Sequence, residues 1–203
     1  IDWGDGTGAS LSGSGNVSVQ KAAAYSNEGD YLIKITCAGN YSVHTSGYIL
    51  GDNSTYTSAL LKCYLGNNIV SLPNSAFQKC SSMQYITIPK AITNIGSAFA
   101  YCTSLYSITF PNAITAILTQ TFYANHSLTV AVLSQNITAI GLSAFQYCYK
   151  LKDFVLPNNL AKAENSAFNY NCSLNILKFP NATTVIENTA IAYQQGLTKI
   201  IFG

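Results

Sequence analysis

The sequence predicts a β-rich α/β solenoid, built from short strands and turns that repeat about every 23 residues. Three observations predict it. Phenylalanines recur at Phe77, Phe99, Phe122, Phe145 and Phe168, with Ile191 in the sixth place. Apolar columns keep step with them: Met83, Leu105, Leu128, Leu151, Leu174 and Leu197 in one, Ile88, Phe110, Leu133, Leu156, Phe179 and Phe202 in another. Most units close on a proline, at Pro89, Pro111, Pro157 and Pro180, with Ser134 and Gly203 in the remaining places. A unit this small cannot bury its apolar side alone, so copies stack.

The elements follow in chain order. Residues 1–57 lie outside the period and are expected to form a β-rich cap over the N-terminal end of the stack, which would otherwise expose core. Residues 58–203 hold the repeats: a half unit carrying Leu60, Cys63 and Leu65, then about six units of 22–23 residues. Each full unit opens on a stretch such as Ser75-Ala76-Phe77 or Ser143-Ala144-Phe145, where the serine is suited to cap one turn of α- or 3₁₀-helix. The segments Tyr85–Pro89 and Ser107–Pro111 alternate polar and apolar side chains, the period of a half-buried strand. The proline lacks an N–H and ends the strand.

Composition narrows the function. The chain is 48% hydrophobic and only 9% charged, against roughly 25% in ordinary soluble domains. Its ten basic residues are all lysine. Without arginine, the preferred group for bidentate phosphate and guanine contacts, nucleic acid is not an expected partner. The apolar runs are far shorter than the ~20 residues that span a bilayer, so this segment is not expected to insert in a membrane. The chain begins on Ile1, and is expected to be a segment whose leader has been removed or whose start has been trimmed.

The cysteines test for chemistry. Cys80, Cys102 and Cys148 stand three residues after their anchors; Asn125, Asn171 and Gln194 take the same place in other units, and Cys172 is one residue late. A column that accepts Asn and Gln calls for a hydrogen-bonding side chain rather than a thiolate. Free, buried thiols are expected, because side chains stacked in parallel do not converge for a disulfide. Cys63 falls in a core column and Cys37 is expected to point inward from the cap. No C-x-x-C pair exists, and one cysteine per coil does not converge on zinc. Asp2, Asp5, Glu28 and Asp30 lack a calcium-loop pattern. His44 and His126 form no motif with carboxylates, and no nucleophile elbow or phosphate loop occurs. No enzyme activity, metal or cofactor is expected.

The run from Cys80 through Met83, Ile86, Pro89, Ile92 and Ile95 to Ala98-Phe99 resembles the BspA-like leucine-rich repeats of surface and secreted proteins. The resemblance covers residues 58–203. It implies a right-handed arc with a parallel sheet on its concave face, and an adhesion module that binds a host or neighbouring extracellular protein, matrix and plasma glycoproteins included. Near the start, Trp3, the Gly4-Asp5-Gly6 turn, Gly29 and Tyr31 resemble part of a PKD-type β-sandwich, which implies structural roles for them. An extracellular or cell-surface monomer is the expectation.

Two surfaces are candidates for binding. The first is the set of outward strand residues: Tyr85 and Thr87, Ser107 and Thr109, Val130 and Val132, Asp153 and Val155, Ile176 and Lys178, Lys199 and Ile201. β-branched side chains there either mark a contact surface or simply favour strand. The second is a file of tyrosines, Tyr101, Tyr147, Tyr170 and Tyr193 with Tyr123 beside it. Those rings either bind sugar or pack on one another as a structural spine. A spacer that presents another domain is the remaining alternative.

Overall fold

The computed structural model describes residues 31–35, 41–42, 60–152 and 154–203, with side chains from Lys62 onward. The repeat period becomes a solenoid in which every paired strand is parallel to its partner. One face collects β1 (Tyr31–Ile35), β3 (Leu60–Leu65), β5 (Tyr85–Thr87), β6 (Ser107–Thr109), β8 (Val130–Val132), β11 (Ile176–Phe179) and β13 (Lys199–Phe202). A second collects β2 (Tyr41–Ser42), β4 (Ile69–Ser71), β7 (Ala116–Ile117), β9 (Ala139–Ile140), β10 (Lys162–Ala163) and β12 (Val185–Ile186). Parallel neighbours need a crossover between them, and here the crossover is the remainder of a coil.

On the first face the ladders run β1-β3-β5, β6-β8 and β11-β13. β5 and β6 lie side by side without a ladder. On the second, β7, β9, β10 and β12 form one continuous sheet, and a single bridge joins Ser71 of β4 to Asn94. β1 pairs with β3, and β2 with β4, so residues 31–35 and 41–42 extend the two ladders beyond the half unit. Trp3, Gly4-Asp5-Gly6, Gly29 and Cys37 lie outside the described residues.

The anchor rings fill the axis. Phe77, Phe99, Phe122, Phe145 and Phe168 are fully buried and stack in file, with centroids 5.6, 5.5, 5.3 and 6.0 Å apart and planes within 11°. Such pairs contribute ~0.5–1.5 kcal/mol each beyond the area they bury. Phe110 and Phe154 pack edge-on against this file. Met83, Leu105, Leu128, Leu151 and Leu174 are also fully buried. One amphipathic coil thus becomes a continuous core only through its neighbours.

The third side corrects the expectation of short helical turns: the described residues contain no helix. Each Ser-Ala-Phe stretch is a run of turns bounded by left-handed residues, at Ser75 and Lys79, Gln120 and Ala124, Ser143 and Tyr147, Ser166 and Tyr170, Thr189 and Tyr193. A non-glycine residue in that region costs ~1–2 kcal/mol and interrupts any helix. Hydrogen bonds between coils hold it there. Phe77 N donates to Ala98 O (2.8 Å) and Lys79 N to Ala100 O (2.8 Å), and the pattern recurs at Phe122 N to Ala144 O and Ala124 N to Gln146 O. The serine serves the same end, since Ser97 Oγ donates to Thr119 O at 2.5 Å.

Candidate binding surface

The coil geometry turns each alternating strand into one inward and two outward side chains. Ile86, Ile108, Ala131 and Leu177 point into the core from their strands, and their described neighbours point out. Phe154 is buried in the same column, but its coil forms no strand there, contrary to the expected outward strand pair. Strand register sets these outward residues side by side: Ser107 faces Val130 and Thr109 faces Val132, while Ile176 faces Lys199 and Lys178 faces Ile201. Val132 is 50% exposed, Val155 74% and Ile176 49%. Tyr85, Thr109, Lys178 and Lys199 are exposed, and Thr87, Ser107, Val130 and Ile201 half-buried. Asp153 lies outside the described residues.

The register adds two residues that the sequence reading omitted. Lys62 faces Tyr85, and Tyr64 faces Thr87, with the Tyr64 and Tyr85 rings 6.0 Å apart. The 23-residue period that placed Cys63 in the core contained the signal, because its two neighbours must then point outward. Where β5 and β6 lack a ladder, the face opens into a groove of about 570 Å³ lined in part by Tyr85, Thr87, Lys90, Ser107, Thr109 and Asn112.

The tyrosines form a packed column. Tyr101, Tyr123, Tyr147, Tyr170 and Tyr193 follow one another with ring centroids 5.3, 5.4, 4.9 and 4.6 Å apart. In the third coil Ala124 occupies the left-handed position, and the ring of Tyr123 closes the gap. The last two pairs stack with planes 22° and 4° apart, which occupies the faces that a sugar would need. Proximity of the other rings, after burial, raises the Tyr123 and Tyr170 hydroxyls above their ordinary titration range.

The cysteine column is a hydrogen-bond ladder. Cys102 Sγ donates to Phe77 O at 3.0 Å, Asn125 Nδ2 to Phe99 O at 2.8 Å, Cys148 Sγ to Phe122 O at 3.3 Å and Asn171 Nδ2 to Phe145 O at 3.0 Å. Gln194 Nε2 does the same for Phe168 O. Each side chain therefore serves the anchor carbonyl of the preceding coil. Cys63, Cys80, Cys102, Cys148 and Cys172 are free thiols. Burial pushes the Cys63 thiol from 9.0 to about 12, and raises Cys102 and Cys148 likewise. Cys80 is raised by burial first, then by Cys102 and Cys63. Thiols held protonated are poor nucleophiles.

Charge is sparse and locally paired. Lys162 Nζ meets Glu187 at 2.8 Å and Glu164 at 3.2 Å, and these carboxylates also accept from Asn165 N and Leu142 N of the preceding coil. Among the described residues, no three His, Cys, Asp or Glu side chains gather as a metal site. No helix among them is long and apolar enough to cross a membrane.

Stacked parallel coils with an internal phenylalanine file, an Asn/Cys ladder and an open strand face define a repeat solenoid. Comparison with known proteins places it further. The family described as "BspA type Leucine rich repeat region (6 copies)" matches residues 41–98 and 70–198. The chain belongs to the BspA-type leucine-rich repeat family. No curated protein matches it. Among solved structures, the leucine-rich repeat protein TpLRR of T. pallidum is 22% identical, with a TM-score of 0.57 over 70% of this chain and 73% of that one. The pneumococcal vaccine antigen PcpA is 18% identical, with a TM-score of 0.50 over 71% of this chain and 51% of that one. Both share the fold. The family match begins at residue 41, inside the segment expected as a cap.

Proposed function

We propose that the chain is a non-catalytic, protein-binding module of a cell-surface or secreted protein, and that it captures an extracellular partner on its strand face. The observation that supports this most directly is that Val132 on β8 and Ile176 on β11 are each about half exposed, and that Val155, in the unpaired segment of the coil between them, is 74% exposed. Exposed apolar side chains on successive coils suit a partner that removes them from water, at ~25 cal/mol per Å². Lys62, Lys178 and Lys199 on the same face favour a partner with acidic groups at its rim. Family membership supports an adhesion role, with a matrix or plasma glycoprotein as the partner class. We read the tyrosine column as the structural spine, because its rings consume one another's faces, and residues 1–57 as the N-terminal end of the module.

An array of immobilised matrix and plasma glycoproteins tests the reading. Retention of the wild-type chain by a protein on the array is expected. The double variant Val132→Lys, Val155→Lys is expected to lose that retention at least tenfold while melting at the same temperature. Retention unchanged in the folded double variant would move binding off the strand face. Failure to bind any protein on the array would favour a spacer.

A further inference from the structure

A second groove borders the strand face, on the segment that leads each coil into its strand. It is an open groove of about 350 Å³ lined by Gln84, Ser104, Tyr106, Ser127, Thr129 and Lys150. The lining includes no aliphatic side chain and no carboxylate; its only charge is Lys150. Tyr106 is 58% exposed. Every other tyrosine whose side chain is described has another aromatic ring within 6.0 Å. Tyr106 has none among the described residues, and its exposure leaves ring surface facing solvent.

The scaffold beneath is fixed. Tyr106 N donates to Gln84 O (3.2 Å), Thr129 N to Tyr106 O (2.9 Å) and Lys152 N to Thr129 O (3.2 Å). Beside that file, Ser104 N donates to Ser81 O (3.1 Å) and Ser127 N to Thr103 O (3.1 Å). Thr129 Oγ1 is engaged with Ser127 O. The amide of Gln84, the hydroxyls of Ser104, Tyr106 and Ser127 and the ammonium of Lys150 have no hydrogen-bond partner among the described residues.

We propose that this groove is a saccharide site, selective for a sugar that carries a carboxylate. A pyranose offers an apolar C–H face and a rim of hydroxyls. The exposed ring of Tyr106 takes the first, and the neutral donors and acceptors around it take the second. Lys150 supplies the charge for the carboxylate, and no acidic side chain in the lining opposes it. A peptide would need an apolar anchor pocket, which these six residues do not make.

Saturation-transfer NMR on the 203-residue chain tests this, with trigalacturonate and neutral maltotriose as probes. Transfer to trigalacturonate is expected, with at least tenfold weaker binding of maltotriose. Tyr106→Ala should weaken trigalacturonate at least tenfold, and Tyr106→Phe, which keeps the ring, less than threefold. Lys150→Gln should bring the acidic probe to parity with the neutral one. Ser127→Asp, placing a carboxylate in the groove, should abolish acidic binding even if Tyr106→Ala folds poorly. Val132→Lys, Val155→Lys should bind trigalacturonate like wild type, which keeps this site separable from the strand face. Absence of transfer, wild-type binding by folded Tyr106→Ala or Ser127→Asp, or loss in the strand-face variant would overturn the site. Equal binding of both probes by wild type would overturn its selectivity.

Discussion

At the residue scale, the position three after each anchor shows how one geometric task admits different side chains. The anchor carbonyl needs a donor from the next coil, and Cys, Asn and Gln all supply it. They differ in what they leave behind. The carbonyl oxygens of Asn125, Asn171 and Gln194 are buried without a partner, whereas a thiol brings no such acceptor. A buried orphan acceptor costs ~1–3 kcal/mol. Cys148→Asn is therefore expected to lose about that much in a urea melt, and Asn125→Cys to hold or gain stability. The thiols also set a pH limit. Cys63 titrates near 9.0 when unfolded and about 12 when folded. Between those values the folded chain binds the extra proton, so stability falls as pH rises, by roughly 1.4 kcal/mol per pH unit for this thiol. Melting temperatures recorded from pH 8 to 11 should decline from about pH 9. In the native state at neutral pH, Cys80, Cys102 and Cys148 should resist a thiol reagent that labels them all in denaturant.

At the element scale, the turn side is where sequence and structure part. Most of the left-handed positions hold Ser, Thr, Gln or Tyr, residues that give no local sign of positive φ, so the stretches read as helical turns. The information lies between coils, in ladders such as Phe99 N to Thr121 O, which a single unit does not display. The core columns were legible because burial repeats with the period. The outward strand residues were legible by the same alternation, whereas the unladdered seam between β5 and β6 and the groove at Tyr106 depend on how adjacent coils meet. The short spacing between Phe77 and Phe99 has a local cause. Gly96 takes the left-handed conformation one residue early, with φ +53°, and a Cβ there would lie 2.9 Å from the backbone of Pro73 and Asn74. Gly96→Ala is expected to cost ~1–3 kcal/mol by thermal melting. In the phenylalanine file, Phe122→Ala should cost ~3–5 kcal/mol, and Phe202→Ala, at an exposed position, much less.

At the scale of the whole molecule, each coil touches only its neighbours, so stability is a sum of coils and the seams between them. The strand face is likewise a sum, each coil that forms a strand there adding one outward pair. Removing residues 123–145 joins Phe122 to Gln146 in the same phase of the period. The shortened chain is expected to fold with an unchanged far-ultraviolet spectrum per residue and a lower melting temperature; loss of cooperative melting would contradict this. The ladder at the anchor carbonyls then has a genetic consequence. Because Cys, Asn and Gln all donate to the same carbonyl there, a duplicated or deleted period meets a neighbour that can still complete this ladder. Copy number can drift without a search for matching seams, and each gain or loss changes the reach of the strand face by one spacing of ~4.8 Å. Such a protein is a ruler whose length can be edited in whole divisions.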